Sequence, residues 1–571
     1  MVYTGKPSRG CQMCKNRRIK CDEKRPICGQ CQKSGRTCPG YPDEFDLVFR
    51  DENKAMERKR KTSGSGSKSV GGSQGSPSSV SPSSTFEISP GASPPSFAES
   101  SRSRTPPDAS QGQLVVIPPY QVPPDQATFQ AFMWSLEHGV PPTITTSPEV
   151  EAVPFFFRNF VSLPQQAESM RGFLELLVPL YNQARPSSAL HQATSAVALA
   201  ACGNYPGRQD LLREAATAYG KALRQLNDDL KDPAVSKSDE TVLAILLFSL
   251  YETIMSTNDT ITAWANHVDG AVALTKLRGA EQFKNPMSHA VFRAVRTMMI
   301  TSCVQRSKPI DTFPGQHGWV GTENNEENAA NRLTLICIDL PNIRARATAL
   351  TTAPHNNAQR SEALAILEFA QMVDANLQQW SNTLPPDWQY TTVAMVYDMP
   401  EDLSTAEQWS GPQHVYEDVH IASIVNDYRV CRIFCQSVII ACINYLGLDA
   451  DSPLNDAYNS AVFFVQQMVD EICACVPFHL SYDMQPVAKK LGQDQAGKSL
   501  PSYSHPPAEA LGGYFMVWPL YVAANAETVP KRQRDWLSGR LFNIGKTFGL
   551  NSAQVLVLAR RHVLTCGPMF P

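Results

Sequence analysis

Six cysteines near the amino terminus follow a spacing that suits a shared metal site. Within residues 11–38 the gaps between successive cysteines are two, six, six, two and six residues, so the unit C-x2-C-x6-C occurs twice. Two thiolates separated by two residues can bind one Zn²⁺, while the turn between them directs backbone N–H groups towards the sulfurs. The candidate ligands are Cys11, Cys14, Cys21, Cys28, Cys31 and Cys38.

Six thiolates complete two tetrahedral zinc sites only if two of them bridge, because two such sites need eight ligand positions. The symmetry of the repeat selects the first cysteine of each unit, Cys11 and Cys28, as the bridging residues. Each zinc would also bind the other two cysteines of one unit. The predicted cofactor is therefore a pair of Zn²⁺ ions.

A disulfide framework is the alternative that six cysteines allow. The sequence begins MVYTGKPSRG, without the apolar stretch of a secretory signal, so we expect a chain that stays inside the cell. Disulfides rarely persist in the reducing cytosol or nucleus. The zinc cluster is the favoured interpretation.

The two repeats differ in charge, which indicates that the first one faces a partner. Residues 1–42 hold ten Lys/Arg and two Asp/Glu, a formal charge of +8 in a chain whose total is −3. A short basic helix beside a rigid metal core suits the DNA major groove, where arginine can bond to guanine O6 and N7. A merely solvated face is the alternative, and Ile19 argues against it because we expect this apolar residue to pack on the metal core. The candidate DNA contacts are Lys15, Arg17, Arg18 and Lys20.

The rest of the chain is expected to form separate, mostly helical structure. With 571 residues the chain is too long for one compact core. Residues 62–125 are rich in Ser, Gly and Pro and predict a disordered linker. From about residue 126 onward apolar residues recur at helical spacing, and sustained strand-like alternation is lacking. Residues 241–255 are apolar on nearly every face and should lie deep inside a helical bundle.

Other residues of this helical region are assigned no site. The scattered cysteines are expected to be buried small hydrophobic residues, and His267 is expected to be structural. His414, Glu417 and His420 are expected to spread around one helix and are assigned no metal. The longest uncharged apolar runs, near 433–448 and 510–526, are shorter than about 18 residues, so no membrane span is expected.

The cysteine segment resembles the fungal Zn2Cys6 binuclear-cluster transcription factors. The family pattern C-x2-C-[KR]-x-[KR]2-x-K-C-D, then a proline loop and C-x2-C-x6-C, matches from Cys11 through Asp22 and Pro26 to Cys38. The resemblance implies that Arg18 contacts bases, usually in CGG triplets. Most members have lysine at this position, and the longer, forked arginine bears on the choice of triplet.

Weaker patterns in the helical region resemble the regulatory domain of the same factors. They are LFSLYETI, W-x2-H-x2-G-A-x2-L-x3-R-G from Trp264 to Gly279, and YFMVWPLYVAA at 514–524. The implied organisation is a zinc-cluster domain of two short helices around a binuclear zinc core (1–45), a basic flank that could direct nuclear import (46–61), the linker (62–125) and an all-α regulatory domain (126–571).

The predicted function is sequence-specific DNA binding in the nucleus that regulates transcription by RNA polymerase II. The expected partners are double-stranded DNA and the transcription machinery or co-regulators, with a homodimer left open because no heptad repeat follows the cluster. An enzyme is not expected, since no nucleophile, base and orienting group occur at a credible spacing. A zinc-stabilised nuclear scaffold whose helical body binds proteins is the second hypothesis, although it does not explain the basic first repeat.

Overall fold

The computed structural model describes two parts of the chain. In the cysteine segment it describes residues 11, 13–14, 17, 19–22, 28–36 and 38. In the helical body it describes residues 147–205, 207–257, 262–315, 317–321, 327–350, 353–447, 453–481 and 509–558. The predicted basic flank and linker lie outside the described residues. The described body is mainly helical, which confirms the predicted fold class.

The helices within the described residues are numbered in chain order. The cysteine segment contributes α1 (Gly29–Lys33). The amino-terminal part of the body contains α2 (Pro148–Phe160), α3 (Leu177–Gln183), α4 (Ala189–Gly203), α5 (Leu211–Asp229), α6 (Asp239–Ile254), α7 (Ala263–Arg278) and α8 (Pro286–Gln305). The carboxyl-terminal part contains α9 (Ala329–Ile336), α10 (Leu340–Leu350), α11 (Asn357–Asn382), α12 (Val419–Leu446), α13 (Asn455–His479), α14 (Glu509–Asn525), α15 (Lys531–Phe548) and α16 (Asn551–Leu558).

Helix α6 lies at the centre of the amino-terminal part. Each of its residues from Thr241 to Tyr251 is buried, and the helix packs against α4 and α7. The Ser238 hydroxyl caps its first turn by accepting a hydrogen bond from the backbone N–H of Thr241. Asp239 and Glu240 in the same turn interact favourably with the positive end of the helix dipole. The predicted deep burial of residues 241–255 is confirmed for this stretch. The next helix, α7, ends at Gly279, whose φ of 61° favours glycine.

A β-hairpin interrupts the helical body and was not predicted. Strand β1 (Thr391–Val396) pairs antiparallel with β2 (Gly411–Val415), with an irregularity after Thr392. The prediction that His414, Glu417 and His420 share one helix is wrong, because His414 lies in β2 and His420 lies in α12. Asp418 separates them by capping α12, where its side chain accepts the N–H of Ile421.

The last helical stretch of the described residues is divided into α15 and α16. Gly549 has a φ of 69° and its carbonyl accepts a hydrogen bond of 2.7 Å from Asn204 Nδ2. A residue in the left-handed backbone conformation ends an α-helix, and glycine adopts this conformation without a steric penalty.

Helices α12 and α13 are long and apolar enough to cross a membrane by length and composition. The protein interior surrounds 83% of the apolar window in α12 and 56% of that in α13. Helix α12 also carries Arg432, which forms two hydrogen bonds of 2.8 and 2.9 Å with the buried Asp374 carboxylate of α11. These contacts are those of core helices.

Candidate metal centre

The six cysteine side chains converge in two groups of four. The Sγ atoms of Cys11, Cys14, Cys21 and Cys28 all lie within 4.8 Å of one another, and so do those of Cys11, Cys28, Cys31 and Cys38. Cys11 and Cys28 belong to both groups, as the bridged arrangement requires. The distances from Cys11 Sγ to Cys28 Sγ and from Cys14 Sγ to Cys28 Sγ are both 3.7 Å.

These distances distinguish a metal site from a disulfide framework. A disulfide needs sulfurs about 2.05 Å apart, and all six cysteines are free. Four sulfurs at about 2.3 Å from a tetrahedral zinc are about 3.8 Å apart. The observed 3.7 Å therefore fits sulfurs that share a metal ion.

The backbone repeats this geometry in both halves of the cluster. The N–H of Cys14 donates to Cys11 Sγ at 3.4 Å, and the N–H of Cys31 donates to Cys28 Sγ at 3.3 Å. The second bond caps α1 at its amino terminus. Backbone N–H donors stabilise the negative charge of a thiolate, and the thiolate is the form of cysteine that binds a metal. The repeat seen in the sequence is thus a repeat of local structure.

The donor set fits a divalent cation. Cys11, Cys14, Cys28 and Cys31 are completely buried, whereas Cys21 and Cys38 are half-buried. Loss of hydration raises the pKa of the Cys11 and Cys14 thiols and raises the pKa of the Cys31 thiol to about 12. A coordinated cation reverses this penalty, because a metal-bound thiol is deprotonated. The cysteine cluster fits zinc binding, and zinc would supply the structural cross-link of this segment.

The structure describes only part of the predicted basic surface. Lys15 and Arg18 lie outside the described residues, whereas Lys20 is exposed. Arg17 donates a hydrogen bond of 3.1 Å from Nη1 to Ser34 Oγ in the second repeat. The predicted inward packing of Ile19 is wrong, because this side chain is 37% exposed. Four sulfurs fill the interior of the cluster and Met13 packs against them, so the small core leaves little room for Ile19.

Asp22 is a structural residue of the cluster that sequence reasoning did not single out. Its two carboxylate oxygens accept the backbone N–H of Gly29 at 3.0 and 3.1 Å. A negative charge at the start of α1 stabilises the exposed N–H groups of that helix. The signal was present as the aspartate of the family pattern, but the bond spans seven residues and joins the two repeats, so spacing alone does not predict it.

The body contains no further metal site among the residues that the structure describes. The Tyr219 hydroxyl donates to the Glu252 carboxylate at 2.6 Å, so its oxygen accepts the 2.9 Å hydrogen bond from His267 Nε2. This network supports the structural role predicted for His267. Cysteines of the body such as Cys202 and Cys303 are buried, as predicted.

Comparison with known proteins agrees with this geometry. The fungal Zn(2)-Cys(6) binuclear cluster domain matches residues 9–46, and the fungal specific transcription factor domain matches residues 154–309. No solved structure matches the chain. The two domain matches lie on the cysteine cluster and on the amino-terminal part of the helical body.

Related proteins are transcription factors of fungi. Transcription factor dbaG of Emericella nidulans is 25% identical over 424 residues, which cover 73% of this chain and 94% of that protein. The aspercryptin biosynthesis cluster-specific transcription regulator atnN of the same species is 54% identical over 37 residues, 6% of each chain. Transcriptional regulatory protein moc3 of Schizosaccharomyces pombe is 56% identical over 34 residues, 6% of this chain and 7% of that one. The chain therefore contains a fungal Zn(2)-Cys(6) binuclear cluster domain and a fungal specific transcription factor domain, and these matches together with its relatives make it a regulator of transcription rather than an enzyme.

Proposed function

We propose that this regulator acts in the nucleus, where it binds two Zn²⁺ ions and recognises CGG-like half-sites in genes transcribed by RNA polymerase II. The observation that supports the proposal is the pair of four-sulfur groups that share Cys11 and Cys28, beside the basic segment 15–20. All six cysteines serve as ligands in this proposal, with residues 1–45 as the DNA-binding domain. Residues 126–571 form the regulatory domain, which contacts co-regulators.

Electrostatics assigns DNA attraction to lysine and arginine rather than to the metal core. Six thiolates and two Zn²⁺ ions together carry a charge of about −2, which repels phosphates. Attraction must come from the basic residues of the first repeat. Lys15 and Lys20, which flank the central arginines, are proposed to contact phosphates, and Arg18 is proposed to bond guanine in the major groove.

The internal repeat explains why only the first half is proposed to contact bases. Equivalent backbone bonds in the two halves are offset by 17 residues, since Ile19 N–H donates to Cys14 O and Arg36 N–H donates to Cys31 O. This offset makes Gly35 the counterpart of Arg18. Glycine has no side chain to contact a base, and Gly35 adopts a φ of 62°.

Binding titrations test this assignment on CGG duplexes and on duplexes with a mutated triplet, at several salt concentrations. Arg18→Ala should cost about 1–3 kcal/mol on the preferred site and reduce discrimination. Lys20→Ala should weaken binding to all sequences and lower the salt slope by about one unit. Lys33→Ala is the matched control, because it removes an exposed charge from the second repeat, and it should leave discrimination unchanged.

If Arg18→Ala weakens specific and non-specific DNA binding equally, Arg18 does not contact the bases. Arg17 is then the next candidate, despite its hydrogen bond to Ser34. Chromatin mapping of the tagged chain tests the cellular part of the proposal. It should show nuclear binding at promoters enriched in the same triplet. Absence of any enriched DNA motif, with stable protein partners recovered instead, would favour the nuclear scaffold.

A further inference from the structure

A cavity of about 210 Å³ lies in the helical body where α8, α12 and α14 meet the segment 169–175. Much of its wall is apolar and includes Trp264, Met298, Phe515 and Trp518. Sites for drug-sized ligands measure about 300–1,000 Å³. This cavity therefore suits a smaller molecule, of the size of two fused aromatic rings.

The charged groups on the wall are compensated within the protein. Arg171 forms an ion pair with Asp427. The carboxylate of Glu175 accepts the backbone N–H groups of Arg171 at 3.0 Å and of Gly172 at 3.1 Å. A charged ligand would lose its hydration without gaining an unpaired counter-charge. The wall therefore favours a neutral ligand.

Three hydroxyl groups on the wall can accept but not donate a hydrogen bond to a ligand. Thr297 Oγ1 donates to the Arg293 carbonyl at 3.0 Å, and Thr301 Oγ1 donates to the Thr297 carbonyl at 3.1 Å. Ser423 Oγ donates to the His420 carbonyl at 2.9 Å. A hydroxyl has one proton and two lone pairs, so each of these groups retains only acceptor capacity. Their complement is a hydrogen-bond donor.

One further polar atom of a wall residue points to the same chemistry. Within the described residues, His420 Nε2 is buried and has no hydrogen-bond partner. The other ring nitrogen of His420, Nδ1, lies 3.6 Å from Glu175 Oε1, and the neutral tautomer with its proton on Nδ1 has Nε2 as an acceptor. An unpaired buried acceptor is unfavourable, and a ligand donor would relieve it.

We propose that this cavity binds a neutral, mainly aromatic small molecule that carries a hydroxyl or N–H group. The aromatic and aliphatic wall removes the ring system from water, while Thr297 and Thr301 on α8 accept the donor of the ligand. This binding site is separate from the zinc cluster, so the proposal does not depend on DNA recognition.

Calorimetric titration of the zinc-loaded full chain with 2-naphthol tests the proposal, with 2-methoxynaphthalene as the probe that lacks the donor. We expect saturable binding of 2-naphthol at one site, about three- to tenfold tighter than the ether. Combining Thr297→Val with Thr301→Val should abolish this preference. Thr275→Val is the matched control, because Thr275 is buried off the cavity wall and its hydroxyl makes the same kind of bond, 2.8 Å to the Ala271 carbonyl. It should leave the preference intact.

Filling the cavity gives an independent test. Met298→Trp, or Val517→Phe on α14 should the first variant fail to fold by circular dichroism, is expected to weaken 2-naphthol binding at least tenfold. The proposal is overturned if the unmodified chain shows no saturable binding. It is equally overturned if a folded, filled variant binds as before, or if the double threonine variant keeps its preference for the hydroxyl.

Discussion

The zinc ligands are not equivalent at the scale of single residues. Cys28 belongs to both four-sulfur groups, whereas Cys38 belongs to one of them. If Cys28 bridges, Cys28→Ala removes a ligand from both metals. The full chain with Cys28→Ala should therefore retain much less zinc than the full chain with Cys38→Ala. Elemental analysis should give two zinc ions for the unmodified chain.

Cys202→Ala controls for the loss of a buried thiol, because Cys202 lies in α4 and belongs to neither group. It should retain both zinc ions. One zinc per unmodified chain, or equal zinc loss in Cys28→Ala and Cys38→Ala, would refute the bridged arrangement.

Asp22 should stabilise the cluster through α1. Asp22→Ala removes the acceptor of the Gly29 N–H, and loss of such a cap costs about 1 kcal/mol. We expect about fivefold weaker zinc retention in competition with a chelating dye. Glu281→Ala is the control, because Glu281 forms an exposed ion pair with Lys284. Unchanged zinc retention in Asp22→Ala would show that the bond contributes nothing to the cluster.

The sequence predicted the grouping of the six cysteines because metal geometry restricts which sulfurs can meet. It did not predict the surroundings of the cluster correctly. Ile19 was expected to be buried on the basis of its apolar side chain, but sulfurs and Met13 occupy that interior. The role of Asp22 depends on how the two repeats fold against each other, which the linear pattern does not contain.

At the scale of elements, the contact between α13 and α14 depends on a glycine. A Cβ atom on Gly512 of α14 would overlap the carbonyl oxygen of His479 at the end of α13. Gly512→Ala should therefore force these two helices apart and destabilise the body by about 2–4 kcal/mol. Thermal unfolding followed by circular dichroism measures the effect.

Gly539→Ala is the matched control on α15, where an added Cβ would meet no atom within 4 Å. Alanine has the higher helix propensity, so this variant should be neutral or more stable by up to about 1 kcal/mol. Equal stability of the two alanine variants would contradict the close packing of α13 and α14.

Element prediction succeeded where one signal dominated and failed where several competed. The apolar run in α6 predicted a core helix, and Gly279 marked the end of α7. The hairpin was missed because β1 and β2 are short strands joined by a long loop, and neither shows a sustained alternation of buried and exposed residues. The break before α16 requires a left-handed Gly549 that a periodic apolar pattern conceals.

At the scale of the whole molecule, the cysteine cluster and the helical body have different sources of stability. The buried cluster consists of cysteine side chains and contains no residue of the large apolar core, which belongs to the helices. Within the described part of that segment, too few apolar groups surround the sulfurs to stabilise it by burial, so its folding energy should come from the metal. The body has no metal-binding group within its described residues.

Zinc removal from the full chain should therefore abolish DNA binding without changing the thermal stability of the body. EDTA is expected to abolish binding to CGG duplexes, because the first repeat loses its fold without metal. The melting temperature of the body should change by less than about 2 °C, since its helices are stabilised by apolar packing. EDTA saturated with zinc is the control and should affect neither property. A fall in melting temperature with free EDTA, but not with zinc-saturated EDTA, would reveal that the stability of the body depends on a metal. DNA binding that survives verified zinc loss would refute the zinc-dependent recognition proposed for the first repeat.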